Sequence, residues 1–497
     1  MERKYMKVNP SDTVLVALAD LPTGTEIRWE GTEFALTEPI PKAHKFALTD
    51  IAPRSDVIKY GSPIGAATQH IQQGSWVHTH NLKTKLEGLL DYAYNPSKNE
   101  FAGNRSTLDS FMGYRRDTGL VGTRNEIWII PTVSCVNHTT DALAKAATAR
   151  FGDCCDGILS LPHNTGCSQM GDDAEISQQI LKGIVQHPNA GGVLLVSLGC
   201  ENNDLDHFLP VLGSYDNRRL KTMVTQEIVG DEIEAGLALI EDLLQEMKDD
   251  QRSEVPASEL IVGLKCGGSD AFSGLTANPL CGHVSDRLVD HGGIGILTEV
   301  PEMFGAEQYL MDRADSRQTF DRIVSLINSF KHYYLDCNMP IYENPSPGNK
   351  AGGISTLEEK SLGNIQKSGS SPITDTLTYG QQGEKPGINL LEGPGNDNVS
   401  ITNLLASGAQ IILFTTGRGN PLASMVPTIK VSSNSTLANN KPNWIDYDAG
   451  KILNGTSFAD ATEELWKLVL DIASGKKTKG ELNDYRAIMV FKKGVLL

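Results

Sequence analysis

Neither an excess of basic charge nor a long apolar run is present in this 497-residue chain. Lys plus Arg number 44 against 61 for Asp plus Glu, a net charge of −17 that repels phosphate backbones and anionic lipid headgroups. A nucleic-acid or peripheral-membrane role is therefore disfavoured, whereas a local basic pocket still allows an anionic small substrate. No apolar stretch approaches the ~20 residues that span a bilayer, and MERKYMKVNPSD lacks the apolar core of a signal peptide, so a cytoplasmic location is expected. Cysteine is sparse. Eight residues spread over the chain are too few for a disulfide scaffold and are expected as thiols. Fixed-period repeats are missing, and GRG after the strand QIILF lacks GxGxxG spacing, which argues against a dinucleotide site. What is there is 39% hydrophobic and 21% charged with both signs mixed, the composition of a soluble globular protein of two to four domains.

The first 90 residues alternate short β-rich runs (TVLVALADL, EFALTE, HKFALTDI, DVIKYG, WVHTH) with turn signals and predict a small β-rich module. Residues 91–119 are polar and rich in Asn, Ser and Gly, the pattern of a linker. From 120 to 253 strands alternate with helices: EIWIIPTV, GILSLPH and GGVLLVSLG as strands, and helices near 141–151, 174–185 and 231–248. This spacing predicts an α/β unit with a mostly parallel sheet. A further α/β unit is expected over 254–497, with buried strands in LIVGLK, GGIGILTEV, QIILFTT and TIKVSS and helices over 317–334 and 461–474. The last helix has Asp460 as candidate N-cap, Glu463 three residues on and Gly475 just past its end. Residues 341–400 lack a helical period and read as site-building loops.

Four groups of residues carry chemistry in this reading. Cys167, Cys200 and Cys266 each end a predicted buried strand, where open α/β sheets place their crevices. Converging thiolates suit iron or an iron–sulfur cluster; the competing explanation is a small side chain packing a tight turn. His78 and His80 in HTHN fall on one face if the segment is a strand, and face one metal or one anion. His44, Lys45, Lys59 and Tyr60 lie on neighbouring runs and strengthen an anion site. Glycine loops bring Lys350, Lys367 and Arg418 as cations for a carboxylate, while Glu343, Asn344, Asn396 and Asp397 offer oxygens to a hard cation. Glu299 and Glu302, in TEVPEMFGAE after a strand, are placed to act as acid or base near a metal, or to complement a helix dipole.

Taken together, HKFALTDIA, KYGSPIG, HTHN, GCSQMGDD, HPNAGGVLLVSLGCENN, CGGSDAFSG, TEVPEMFGAEQYLMDR, YENPSPGNKAGG, TTGRGNP and WIDYDAG resemble the altronate and galactarate dehydratase family along essentially the whole chain. The resemblance implies an N-terminal β-clip domain of the SAF type, a second domain used in homodimer contacts and a Rossmann-like C-terminal domain. It also implies iron-dependent dehydration of a sugar acid, such as D-altronate to 2-dehydro-3-deoxy-D-gluconate, with HTHN and the three glycine–cysteine turns as site elements. One departure stands out. The family pattern has cysteine where KSLGN places Asn364, which leaves three sulfurs.

Dehydration next to a carboxylate asks for a base that takes the weakly acidic C2 proton and an acid that protonates the departing hydroxyl. The metal expected here is Fe2+, with Mn2+ as a possible substitute, held on Cys167, Cys200 and Cys266 as a cluster or on His78, His80 and Asp397 as a single ion. His78 or His80 is the expected acid. Glu299, His163 and a lysine, Lys350 among them, are eligible bases, and His44, Lys45, Lys367, Arg418 and Asn396 bind the substrate. Galactarate dehydration or a related lyase reaction is the alternative, and a non-catalytic sugar-acid sensor the remote one.

Overall fold

The computed structural model describes residues 4–96 and 109–492. As expected, the N-terminal part is all β. An antiparallel sheet of Tyr5–Met6, Val14–Ala17, Lys45–Ala47 and Trp76–Val77 lies beside a second one formed by Asp56–Lys59, Ser62–Ala67 and Leu82–Lys83. The strand predicted through WVHTH is shorter than its letters suggest. It ends at Val77, and His78–Asn81 form a turn in which the Asn81 N–H donates to His78 O at 3.0 Å and the His78 N–H to Asn81 Oδ1 at 3.0 Å. An amide side chain that can satisfy the backbone two or three residues away competes with the ladder, and here it wins.

The stretch read as a linker is part structure. Ser110–Arg115 is the central strand of a small antiparallel sheet between Val121–Gly122 and Ser253–Pro256. Next comes a parallel sheet in the order Gly157–Ser160, Glu126–Pro131, Ala190–Ser197, Leu220–Val224, covered by the helices Asn137–Phe151, Asp172–Val185 and Glu232–Met247.

Seven parallel strands form the main sheet, in the order Ile373–Leu377, Gly387–Leu391, Ile294–Leu297, Ile261–Cys266, Ile411–Thr416, Thr428–Ser432, Tyr447–Asp448. The strand that comes first in the chain is the middle one, so connections leave it in both directions. A ligand crevice is expected outside its carboxyl end. Two of these strands, Ile373–Leu377 and Gly387–Leu391, the helix Leu357–Asn364 and the start of the helix Asp397–Ala406 fall in the segment that reads as loops. The long helix Phe458–Ala473 begins earlier than expected. Its N-cap is Ser457, whose hydroxyl accepts from the Asp460 N–H at 3.1 Å, so Asp460 sits inside the first turn.

The helix Asp397–Ala406 is buried between the two parallel sheets, with Ile401, Leu404 and Leu405 in one apolar core with Trp128, Ile184 and Leu195. Contact is close enough that a Cβ on Gly183 would come within 2.0 Å of Ala406 O. A second core runs without a break from Val14, Val57 and Ile64 of the N-terminal module to Leu297, Phe304 and Leu357. The N-terminal module is thus packed onto the C-terminal unit beside the helix Leu357–Asn364.

Candidate active site

Cys266 closes the middle strand of the main sheet, and Glu299 follows the end of its neighbour Ile294–Leu297. Glu299 holds a left-handed backbone, φ 70° and ψ 55°, which costs a non-glycine residue on the order of 1 kcal/mol and returns its side chain toward Cys266. The Cys266 N–H donates to Glu299 Oε2 at 3.0 Å. One turn on, Glu302 faces the same point, and ligand atoms of Cys266, Glu299 and Glu302 all lie within 4.8 Å of one another. Cys266 Sγ is 3.2 Å from Glu302 Oε2 and 3.1 Å from Asn364 Oδ1. All four side chains are buried.

Three buried lysines surround this group. Lys265 Nζ bonds Glu299 Oε1 and lies 2.8 Å from Asp397 Oδ1. Lys367 Nζ donates to Asn364 Oδ1 and approaches Glu299 Oε2 at 3.4 Å. Lys360 Nζ donates to Glu302 Oε1 at 2.8 Å, Asn344 Oδ1 at 2.9 Å and Asn349 Oδ1 at 3.1 Å. Burial alone would raise the Glu302 carboxyl, but Lys360 and Lys265 beside it hold it down to about 2. For Glu299 burial prevails over its lysines, and with Glu302 so near, its carboxyl is raised. Burial and then the two glutamates push the Cys266 thiol up to about 12. A cation placed among these donors would reverse the last two effects.

Above the cluster opens a cavity of about 730 Å³ whose walls include Cys266, Glu302, Lys350, Lys360, Glu343, Asp397 and five asparagines, at 344, 349, 396, 398 and 420. Asp397 is a third exposed, at 32%, and is fixed by Lys265 and by Asn420 Nδ2 at 2.6 Å. Lys350 comes from the short helix Pro347–Ala351, which Ser346 caps. The middle of the main sheet therefore gathers Cys266, Glu299, Lys350, Lys367, Asn396 and Asp397, all singled out from the sequence. Asn396 also caps the helix Asp397–Ala406 with its side chain.

Other expected residues stand elsewhere. Cys167 and Cys200 are exposed and do not line the cavity. They lie on loops that follow the strands Gly157–Ser160 and Ala190–Ser197 of the four-stranded sheet, and these loops are tied to each other, Asn203 N–H to Gly166 O at 3.1 Å and Ser168 N–H to Asn202 Oδ1 at 2.8 Å. The expected three-cysteine centre is corrected accordingly: equivalent strand ends belong to two different sheets. The expected His78, His80 and Asp397 set is corrected too, because their ligand atoms form no group among the described residues and the segment His78–Asn81 is a turn and not a strand. His78 is buried, stacked on Trp76 with its Nδ1 2.8 Å from Ser355 Oγ, while His80 is exposed on the Trp76 ring. Neither lines the cavity.

His44 takes the Trp76 indole N–H on Nδ1 at 3.2 Å, so Nε2 carries the proton and donates to Ala351 O at 3.3 Å. Lys45 is held by Glu359, which makes His44 and Lys45 interdomain contacts and not walls of the cavity. Arg418 is exposed and does not line the cavity; its backbone N–H donates to Gly268 O at 2.8 Å. His163 is buried against Pro131 O at 2.6 Å and Thr165, outside the cavity. Lys265 and Lys360 were missed. A lysine inside the apolar strand LIVGLKC was a signal, since an ammonium there needs a buried partner; nothing in LEEKSLGN marks Lys360.

Comparison with known proteins gives matches along nearly the whole chain. The family description "D-galactarate/Altronate dehydratase, C-terminal" matches residues 257–496, "D-galactarate dehydratase/Altronate hydrolase, second domain" matches 113–248, and "Altronate/galactarate dehydratase SAF domain" matches 3–85. The chain is 45% identical to the altronate dehydratase of Bacillus subtilis over 500 residues, covering 100% of both. It is 46% identical to that of Escherichia coli, covering 99% of this chain and 100% of the relative. Against the galactarate dehydratase (L-threo-forming) of Escherichia coli the identity is 36%, over 95% of this chain and 93% of the relative.

Proposed function

The chain belongs to the D-galactarate/altronate dehydratase family and is a hydro-lyase; from that premise we propose that it removes water from D-altronate in the cavity above Cys266, giving 2-dehydro-3-deoxy-D-gluconate. The carrying observation is the buried Cys266, Glu299 and Glu302 group opening into a cavity walled by Lys350, Lys360 and five asparagines. One carboxylate and a row of hydroxyls match Lys350, which has no ion-pair partner among the described residues, and many amides. Galactarate carries a second carboxylate, and the acidic walls Glu343 and Asp397 would repel it.

The donor set fits a divalent transition metal. One thiolate and two carboxylates, with the Asn364 amide oxygen alongside, mix soft and hard ligands, and a single cysteine does not hold an iron–sulfur cluster. Three lysines and a divalent ion against three carboxylates and a thiolate leave one positive charge, which an aldonate carboxylate neutralises. Fe2+ is the proposed ion and Mn2+ its substitute, held by Cys266, Glu299 and Glu302. When bound, such an ion supplies Lewis-acid polarisation of substrate oxygens, easing loss of the C2 proton.

The protein's side chains do the rest in this reading. Lys350 pairs with the substrate carboxylate, and the asparagine amides orient the hydroxyls. Asp397 Oδ2 takes the C2 proton as base. Lys360, kept protonated by Glu302, gives up an amide partner to protonate the departing C3 hydroxyl. The C2–H and C3–O bonds break, water leaves, and the enol turns into the 2-keto acid. A homodimer is proposed from the same family reading, with the mass in solution by light scattering as its check.

Turnover of D-altronate and galactarate by the purified enzyme, followed as 2-keto acid, tests the assignment: altronate should be the better substrate by kcat/KM, and a preference for galactarate defeats it. Lys350→Met should raise KM for altronate by about 10- to 100-fold, the loss of one charge-assisted hydrogen bond, with kcat changed less.

A further inference from the structure

The helix Leu357–Asn364 touches two parts of the molecule at once. Its N-cap, Thr356, donates to Ile64 O of the N-terminal module at 2.5 Å. Glu358 accepts from Thr84 Oγ1 at 2.9 Å and from the Lys85 N–H at 2.7 Å. Glu359, 1% exposed, accepts from Lys45 Nζ and Lys59 Nζ, each at 2.8 Å, and from the Ser355 N–H at 2.8 Å. Lys45 also donates to Ser355 Oγ at 2.6 Å and Gly353 O at 3.3 Å. The very next residue, Lys360, holds Glu302, and one turn later Asn364 meets Cys266 Sγ.

No side chain of the N-terminal module lines the cavity. Its polar route to Lys360 and Asn364 runs through this helix, whereas His44 reaches the separate helix of Lys350 at Ala351 O. The seat is tight: a Cβ on Gly353 would come within 2.4 Å of Ala43 O, and one on Gly274 within 2.4 Å of the Tyr60 hydroxyl oxygen. Two turns of helix are too short to take up a shift at one end without passing it to the other. We infer that Glu359, clamped between Lys45 and Lys59 of the N-terminal module, is a positioning residue for the dehydration: it fixes where Lys360 and Asn364 stand. This deepens the proposed function and rests on the cavity above Cys266 being the site.

Glu359→Gln in the full-length chain tests it, with Lys59→Met/Glu359→Gln as a second variant that removes one charge of each sign and so spares the fold. Both should lower kcat by about 10- to 100-fold, the scale of an ångström of misplacement. KM should stay within about threefold, because Lys350 sits on a separate helix. A second readout needs no turnover. Alkylation of Cys266 by iodoacetamide under native conditions, read by mass spectrometry, should run about tenfold faster in both variants as the Asn364 contact loosens. The exposed Cys167 and Cys200 serve as internal standards. A wild-type kcat in both variants overturns the inference, whichever way Cys266 labels, and so does a fallen kcat with Cys266 as protected as in the wild type. Should the cavity itself be the wrong site, Glu302→Gln would dehydrate at the wild-type rate, a failure that the Cys266 labelling distinguishes from this one.

Discussion

Cys266→Ala and Glu302→Gln should each cut the dehydration rate by about 10²- to 10³-fold, the usual loss when one group that stabilises transition-state charge is removed. Cys167→Ala and Cys200→Ala should stay within about twofold, as expected of substitutions away from the reacting atoms. The contrast follows from placement, since Cys266 is buried among Glu299, Glu302 and Asn364 and the other two thiols are exposed on loops of another sheet. Because Cys266 and Glu302 act on one centre, the double variant should lose little more than the worse single one. Elemental analysis supplies the independent check: about one divalent ion per chain in the wild type, a stoichiometry set by a single donor group, and markedly less in both variants. Chelation should abolish turnover, and Fe2+ or Mn2+ should restore it to the wild type alone. Full activity in Cys266→Ala, or loss of the metal on replacing Cys167 or Cys200, would defeat the assignment.

Much of the fold was legible because apolar strands such as QIILFTT and GGVLLVSLG announce a parallel sheet buried on both sides. Two kinds of segment were not. The helix Leu357–Asn364 is buried on every side, so LEEKSLGN has no polar face from which a period can be read, and its charges are satisfied by residues some 60 to 300 positions away, such as Glu302, Lys59 and Lys45. The strands Ile373–Leu377 and Gly387–Leu391 fall among glycine- and proline-rich loops whose composition masked them. Strand ends of the main sheet bring Cys266, Glu299, Glu302 and Asp397 together, as their positions after apolar runs suggest. Local pattern carries no information on which strand ends share a sheet, which is why Cys167 and Cys200 were grouped with Cys266. His78 and His80 differ for another reason: a period of two holds only in a strand, and Asn81 folds this segment into a turn.

Lys265→Met and Lys430→Met should move stability in opposite directions, although the two lysines flank the same ring. Lys265, Phe414 and Lys430 are neighbours in register across three parallel strands, and so share one face of the sheet. Lys265 is paired with Glu299 and Asp397, which raise its ammonium against the lowering effect of burial. Removing it leaves the buried Glu299 with Lys367 at 3.4 Å as its remaining cation, at a cost of about 3–5 kcal/mol. Lys430 is 1% exposed, its Nζ lies 3.1 Å from the centre of the Phe414 ring, and it has no hydrogen-bond partner among the described residues. Burial lowers its ammonium well below the ordinary range, more than Asp397 and Asp446 can offset. Methionine fills a similar volume without a polar atom and should stabilise the chain by about 1–3 kcal/mol. The sign of the pH dependence is fixed as well. Between its lowered folded value and about pH 10.4 the unfolded chain binds a proton at Lys430 that the folded chain does not, so the cost is present at pH 7 and shrinks as the pH rises toward about 10.4. Denaturant midpoints of the two variants at pH 7 and pH 10 measure this directly. A destabilised Lys430→Met would mean that its amine is partnered in solution, and an unchanged Lys265→Met that Glu299 and Asp397 do not depend on Lys265 for their charge.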